Sequence, residues 1–147
     1  MTWSPAIGIL GMRQTGKSTL VRGLCTDFLT FDDPSALRAL EEGGGAYLES
    51  LAPPVGLDEA QKAPPVFDLV KLVSDRSRKP GRFLLTGSVR FASRGQIRES
   101  LTGRIALFEL RPLTLSEAHG HRLSPFLNQL TSDKSPAALL TSFEKKA

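Results

Sequence analysis

The chain has 147 residues, 19 Lys+Arg against 15 Asp+Glu, a net charge of +4 and 40% hydrophobic residues. That length suits one domain burying roughly two thirds of its unfolded surface, while 23% charged residues and ten scattered prolines exclude a disordered or low-complexity chain. A single cysteine excludes an internal disulfide and a multi-cysteine zinc site. No apolar run approaches the ~18 residues that cross a bilayer. Residues 1–5 lack the basic-then-apolar order of a signal peptide, so the expectation is a cytoplasmic protein with no membrane partner.

Ala6 to Leu10 is a short apolar strand that leads into a glycine-rich turn. After Lys17-Ser18, the spacing of Thr19, Leu20, Leu24 and Phe28 predicts a helix. Phe28 to Asp32 predicts a second strand. Asp33-Pro34 predicts a helix start, with Asp33 capping and Pro34 in the first turn. That helix carries Leu37 and Leu40 inward and stops near Gly43-Gly44-Gly45. Pro53-Pro54 introduces a third short strand, Val55-Gly56-Leu57, which closes on Asp58-Glu59. Gly56 departs from the branched residues such a strand favours.

Pro64-Pro65 opens a helix with Phe67, Val70 and Val73 at helical period, ending before Lys79-Pro80-Gly81. Phe83 to Thr86 reads as a buried strand, Arg98 to Leu101 as a short helix and Ile105 to Leu110 as a fifth strand. Thr114-Leu115-Ser116-Glu117 has the spacing of a capping box and starts a last helix. Five short apolar strands alternating with helices predict an α/β fold, a parallel sheet covered on both faces. Ligands bind such sheets beyond the carboxyl ends of the strands.

Gly11-Met12-Arg13-Gln14-Thr15-Gly16-Lys17-Ser18 fits G-x-x-x-x-G-K-[ST] in full. The two glycines permit a backbone path that turns successive N–H groups onto phosphate oxygens, and the helix after them adds its positive end. In this pattern Lys17 reaches the β- and γ-phosphates and the Ser18 hydroxyl ligates Mg²⁺. An ordinary glycine-rich turn is the bland alternative; a strand before and a helix after supply the context that the motif requires. Asp58-Glu59 closes an apolar strand about 40 residues later. There an Asp can hold Mg²⁺ opposite Ser18, and the adjacent Glu can orient and deprotonate an attacking water. Charge is unevenly spread: residues 23–70 hold two basic and nine acidic side chains, and residues 71–111 hold ten basic and three acidic.

Gly11 to Leu20, Phe31-Asp32-Asp33-Pro34, Leu57-Asp58-Glu59-Ala60-Gln61-Lys62-Ala63-Pro64, Gly81 to Ser88 and Ser100-Leu101-Thr102-Gly103-Arg104 form an ordered series. With it, the chain resembles the AAA+ superfamily of P-loop ATPases from about residue 6 to 118. More narrowly, it is similar to the bacterial and archaeal AAA-domain ATPases that normally carry a C-terminal domain of unknown function. The resemblance implies a three-layer fold with sheet order 5-1-4-3-2, and ATP and Mg²⁺ as ligands. Gly11, Met12, Arg13, Gln14, Thr15, Gly16, Lys17, Ser18 and Thr19 would hold the nucleotide, Ser18 and Asp58 the metal, and Glu59 the attacking water. It further implies that Thr86 or Ser88 senses the γ-phosphate and that Arg104 acts as an arginine finger on a neighbouring copy, making a homo-oligomer a partner. Only five residues precede Ala6 and about 37 follow Leu110, so the expectation is a short or truncated version with little or no helical lid. Residues 1–131 are expected to form the ATP-binding domain and 132–147 a polar, poorly ordered tail. The function read here is Mg-dependent ATP hydrolysis; the alternative is a nucleotide-dependent switch with little or no turnover. The basic run Arg90, Arg94 and Arg98 admits a nucleic acid as a weaker partner, and Cys25 reads as a small core residue.

Overall fold

The computed structural model describes residues 4–77, 79–87, 101–118 and 120. The chain divides into two units, Met1–Pro112 and Leu113–Ala147. The first contains β1 (Ala6–Leu10), α1 (Lys17–Leu24), β2 (Asp27–Thr30), α2 (Pro34–Ser50), β3 (Val55–Asp58), a 3-10 turn (Ala60–Lys62), α3 (Pro65–Arg76), β4 (Phe83–Gly87) and β5 (Ile105–Glu109). All strand pairs are parallel, and the sheet order is β2-β3-β4-β1-β5. Read from the other edge this is 5-1-4-3-2, as expected.

Alternation along β4 shows how the layers form. Phe83 and Leu85 join Phe31, Leu40, Leu48, Val55, Leu57, Val66, Val70 and Val73 in the larger core, under α2 and α3. Leu84 between them faces the other way and meets Ile9 and Val21 of α1. The sheet is therefore covered on both faces, and each fully buried side chain of this size contributes about 1.5–3 kcal/mol. Asp33 caps α2 as expected: its side chain accepts from the Ser35 N–H at 2.8 Å. That bond holds its carboxyl below the usual carboxylate range.

The structure corrects three local expectations. Helix α1 ends at Leu24 and buries Val21, with Leu20 and Leu24 exposed; Phe28 therefore falls outside the helical period and lies in β2, where the expected second strand also had it. Helix α2 does not stop at its glycines. It breaks at Gly44, where φ is 52°, and resumes to Ser50 because Leu48 is wholly buried in the core. Gly56 is a requirement of the packing: a Cβ there would lie 2.9 Å from Cys25 Sγ, Phe28 Cδ2 and Val21 Cγ1, so glycine lets α1 rest on β3. Cys25 itself is only partly buried.

In the second unit Leu115–Ala118 form α4. Its capping box is made: the Thr114 N–H and hydroxyl donate to Glu117 Oε2 at 2.8 and 2.9 Å, and the Glu117 N–H donates to Thr114 Oγ1 at 3.3 Å. Among the described residues no helix is long and apolar enough to cross a membrane. Ser88, the basic run Arg90, Arg94 and Arg98, most of the expected 98–101 helix and the 132–147 tail lie outside the described residues.

Candidate functional site

At the carboxyl end of β1 the chain enters the loop through Gly11, where no side chain fits. A Cβ would lie 2.3 Å from the Leu110 carbonyl oxygen, because the chain leaving β5 stays alongside and the Leu110 N–H donates to Leu10 O at 2.6 Å. Gln14 and Gly16 both take positive φ, 63° and 88°. These reversals of hand turn backbone N–H groups toward one concavity, the geometry of an anion nest. Thr15 Oγ1 donates to Met12 O at 3.0 Å and closes the loop. The N-cap of α1 is Gly16, which supplies no side-chain cap, and the N–H groups of the first turn complete the concavity.

Lys17 is buried, and its ammonium donates to the Met12 carbonyl at 2.5 Å. A cation thus stands inside the loop. Beside it, Asp58 is held by three hydroxyls from three different elements. Ser18 Oγ donates to Asp58 Oδ1 at 2.7 Å across 40 residues of sequence, Thr86 Oγ1 donates to the same oxygen, and Thr30 Oγ1 donates to Oδ2 at 3.3 Å. Glu59 follows with φ 53°, its N–H donating to Thr86 Oγ1 at 3.1 Å. Its carboxylate Oε2 accepts from Gln61 Nε2, whose amide oxygen is buried without a partner.

Arg13, Gln14, Gly16, Lys17, Ser18 and Thr19, with Asp32, Glu59 and Lys62, line an open cleft of about 470 Å³. The loop and the acid pair, far apart in sequence, are thereby brought to one place. Met12 is largely exposed beside it. Thr86 is brought to the acids and is fully buried. Asp32 and Lys62 form an exposed ion pair at the rim, a kind worth at most about 1 kcal/mol.

Arg104 is not part of this cleft. Its Nε and Nη2 bind Asp75 Oδ1 and Oδ2 of α3 at 2.6 and 3.0 Å, and Asp75 raises its already high pKa. It precedes Ile105, which registers with Ala6, whereas the phosphate loop follows Leu10. Five parallel residues, about 16 Å at ~3.3 Å each, separate the guanidinium's end of the sheet from the loop.

Thr30, Asp32, Gln61 and Lys62 have no role in the sequence reading. Thr30 and Asp32 follow the rule that ligands lie beyond strand ends, which points to the carboxyl end of β2. Asp32, Gln61 and Lys62 enter only within the series that carries the resemblance, with no role of their own.

The sequence model of a protein family described as AAA domain matches residues 4–119. Uncharacterized protein Mb2031c of Mycobacterium bovis and uncharacterized protein Rv2008c of Mycobacterium tuberculosis are each 35% identical over 117 residues, covering 78% of this chain. The matched stretch spans 26% of the length of either relative.

Proposed function

The chain belongs to the AAA domain family, and from that premise we propose that it binds ATP with Mg²⁺ and hydrolyses it. The observation that carries this reading is the 2.7 Å bond from Ser18 to Asp58, which sets the loop's hydroxyl against a strand-end carboxylate. Hydroxyl and carboxylate are hard oxygen donors of the kind Mg²⁺ takes. Mg²⁺ also favours sites with one or two carboxylates completed by substrate phosphates. The site fits the ion, and Ser18 and Asp58 would hold it; when bound, it neutralises charge on the β- and γ-phosphates.

The loop N–H groups and Lys17, released from the Met12 carbonyl, bind the phosphates. Glu59 accepts the proton of the attacking water once its carboxylate leaves Gln61. Thr86 or Ser88 senses the γ-phosphate, and Arg104 of one copy stabilises transition-state charge in another. Phosphate release by the wild type and by Glu59→Gln tests the reading. General-base loss lowers turnover about 10²–10⁴-fold with nucleotide affinity kept, and equal rates sink the role of Glu59.

A second reading is favoured by the Gln61–Glu59 bond, which engages the base and suits a nucleotide-dependent switch. Affinity for ATP that is lost in Lys17→Ala, without multiple turnovers by the wild type, selects this switch over the hydrolase.

A further inference from the structure

We infer that Thr86 is a positioning residue that straps the metal carboxylate to the water-activating Glu59, and that it does not itself touch the γ-phosphate. The inference rests on the reading of the site as a Mg²⁺-nucleotide site and assigns one of its groups a different task.

A threonine hydroxyl has one proton to donate and two lone pairs with which to accept. The proton of Thr86 goes to Asp58 Oδ1, an oxygen that also receives Ser18. One lone pair receives the Glu59 N–H at 3.1 Å. The residue has no exposed surface and does not line the cleft. With its only proton committed to a carboxylate, Thr86 has none for a phosphate oxygen.

The backbone explains why a strap is needed here. Strand pairing between β3 and β4 ends at Leu57 opposite Leu85. Glu59 then leaves the ladder in a left-handed conformation, φ 53° and ψ 41°, which a non-glycine residue takes only when its surroundings impose it. The Thr86 hydroxyl takes up the N–H that the ladder no longer pairs. It therefore turns Glu59 toward the cleft with the same atom that fixes Asp58 beside Ser18. One side chain sets the relative placement of both acids.

The consequence is a dependence on the metal rather than on the γ-phosphate. Removal of a group that orients a metal-holding residue typically costs 10–100-fold in metal affinity. ADP lacks the γ-phosphate, so a sensor of that group is silent with ADP and a strap is not. The test is the Mg²⁺ dependence of ADP binding, by calorimetry, in wild type, Thr86→Val and Thr86→Ser. Thr86→Val keeps the shape and removes the hydroxyl. It should lose about ten-fold or more of the Mg²⁺ affinity seen with ADP, and Thr86→Ser should recover most of it. On an Asp58→Asn background Thr86→Val should add little, since both act through one carboxylate.

A Thr86→Val protein with Mg²⁺·ADP affinity within two-fold of wild type, but weakened ATP binding, overturns the inference and restores a sensor. Should the wild type show no Mg²⁺-dependent nucleotide binding, the proposed function falls and this inference with it. Amide exchange in the nucleotide-free wild type gives a check that needs no variant. The Glu59 N–H should exchange slowly, and fast exchange there overturns the strap.

Discussion

The two ends of the sheet are built by different physics. At the carboxyl ends, α1, β2 and β4 each send a hydroxyl to Asp58 of β3, and Asp58 and Thr86 are buried. In that low-dielectric setting satisfied hydrogen bonds reinforce one another, and losing any partner is costly. At the amino ends, apart from the buried Arg82 whose Nη2 donates to Glu49 O, stands Arg104, bound to Asp75 by side chains 31% and 43% exposed. Water and salt reach such a pair and weaken it, so another anion can compete for the guanidinium. The first end is organised before any ligand arrives. The second presents a cation that another carboxylate or phosphate can take over. A site completed between copies would need both properties, a fixed cleft on one chain and a transferable arginine on the next.

The largest expected effect tests that division. Arg104→Ala should lower ATP turnover about 10³-fold, the lower range for arginine fingers, with ATP affinity little changed. Arg104→Ala has an intact cleft and Glu59→Gln an intact arginine, so mixing these two slow proteins should restore turnover. A mixture that stays as slow as its parts would show that Arg104 does not act between copies. Next in size is Lys17→Ala at the fixed end. Loss of a charge-assisted bond to phosphate is worth about 2–3 kcal/mol, roughly 100-fold in ATP affinity, read by calorimetry. No such loss would mean that the cation inside the loop has another purpose.

Much of the fixed end was legible in the sequence because its signals are local. The phosphate loop is a contiguous motif, Asp58-Glu59 ends an apolar run, and the Asp33 cap is a two-residue pattern. The hydroxyls on Asp58 were not legible as a set. Thr30 and Thr86 each stand 28 residues from it, and only the strand order brings them together. The inward face of α1 was not legible for a related reason. Leu20 and Leu24 carry the helical period, but Val21 has the place above β3 that Gly56 leaves open. Packing chose the smaller residue. Gly44 shows the converse: its dihedral breaks α2 as a glycine should, yet burial of Leu48 restores the helix beyond it. Asp75 gave no local sign of pairing with Arg104, since 29 residues separate them.

Asp75→Asn probes the transferable end with a smaller effect. Removing the carboxylate frees the guanidinium from α3, so the protein concentration at which turnover rises should fall a few-fold in a dilution series. An unchanged concentration dependence would mean that Asp75 does not compete with a neighbouring copy for Arg104.

The smallest effect separates an exposed contact at the fixed end from its buried network. Asp33 caps α2 beside Thr30 and Asp32, and the Ser35 backbone bond, then the Ser35 hydroxyl and Arg38, lower its pKa from the usual 3.8. A carboxyl with a depressed folded-state pKa stabilises the fold fully above its unfolded value. That contribution should therefore be present above about pH 3.8 and fade as pH falls through the lower folded value. Asn caps a helix about as well as Asp but does not titrate. Asp33→Asn should thus keep the melting temperature near that of the wild type at neutral pH and make its fall in acid shallower. Asp33→Ala should lower it at every pH, because the acceptor itself is gone. An acid limb identical in Asp33→Asn and wild type would show that the cap carries none of the acid sensitivity of the fold.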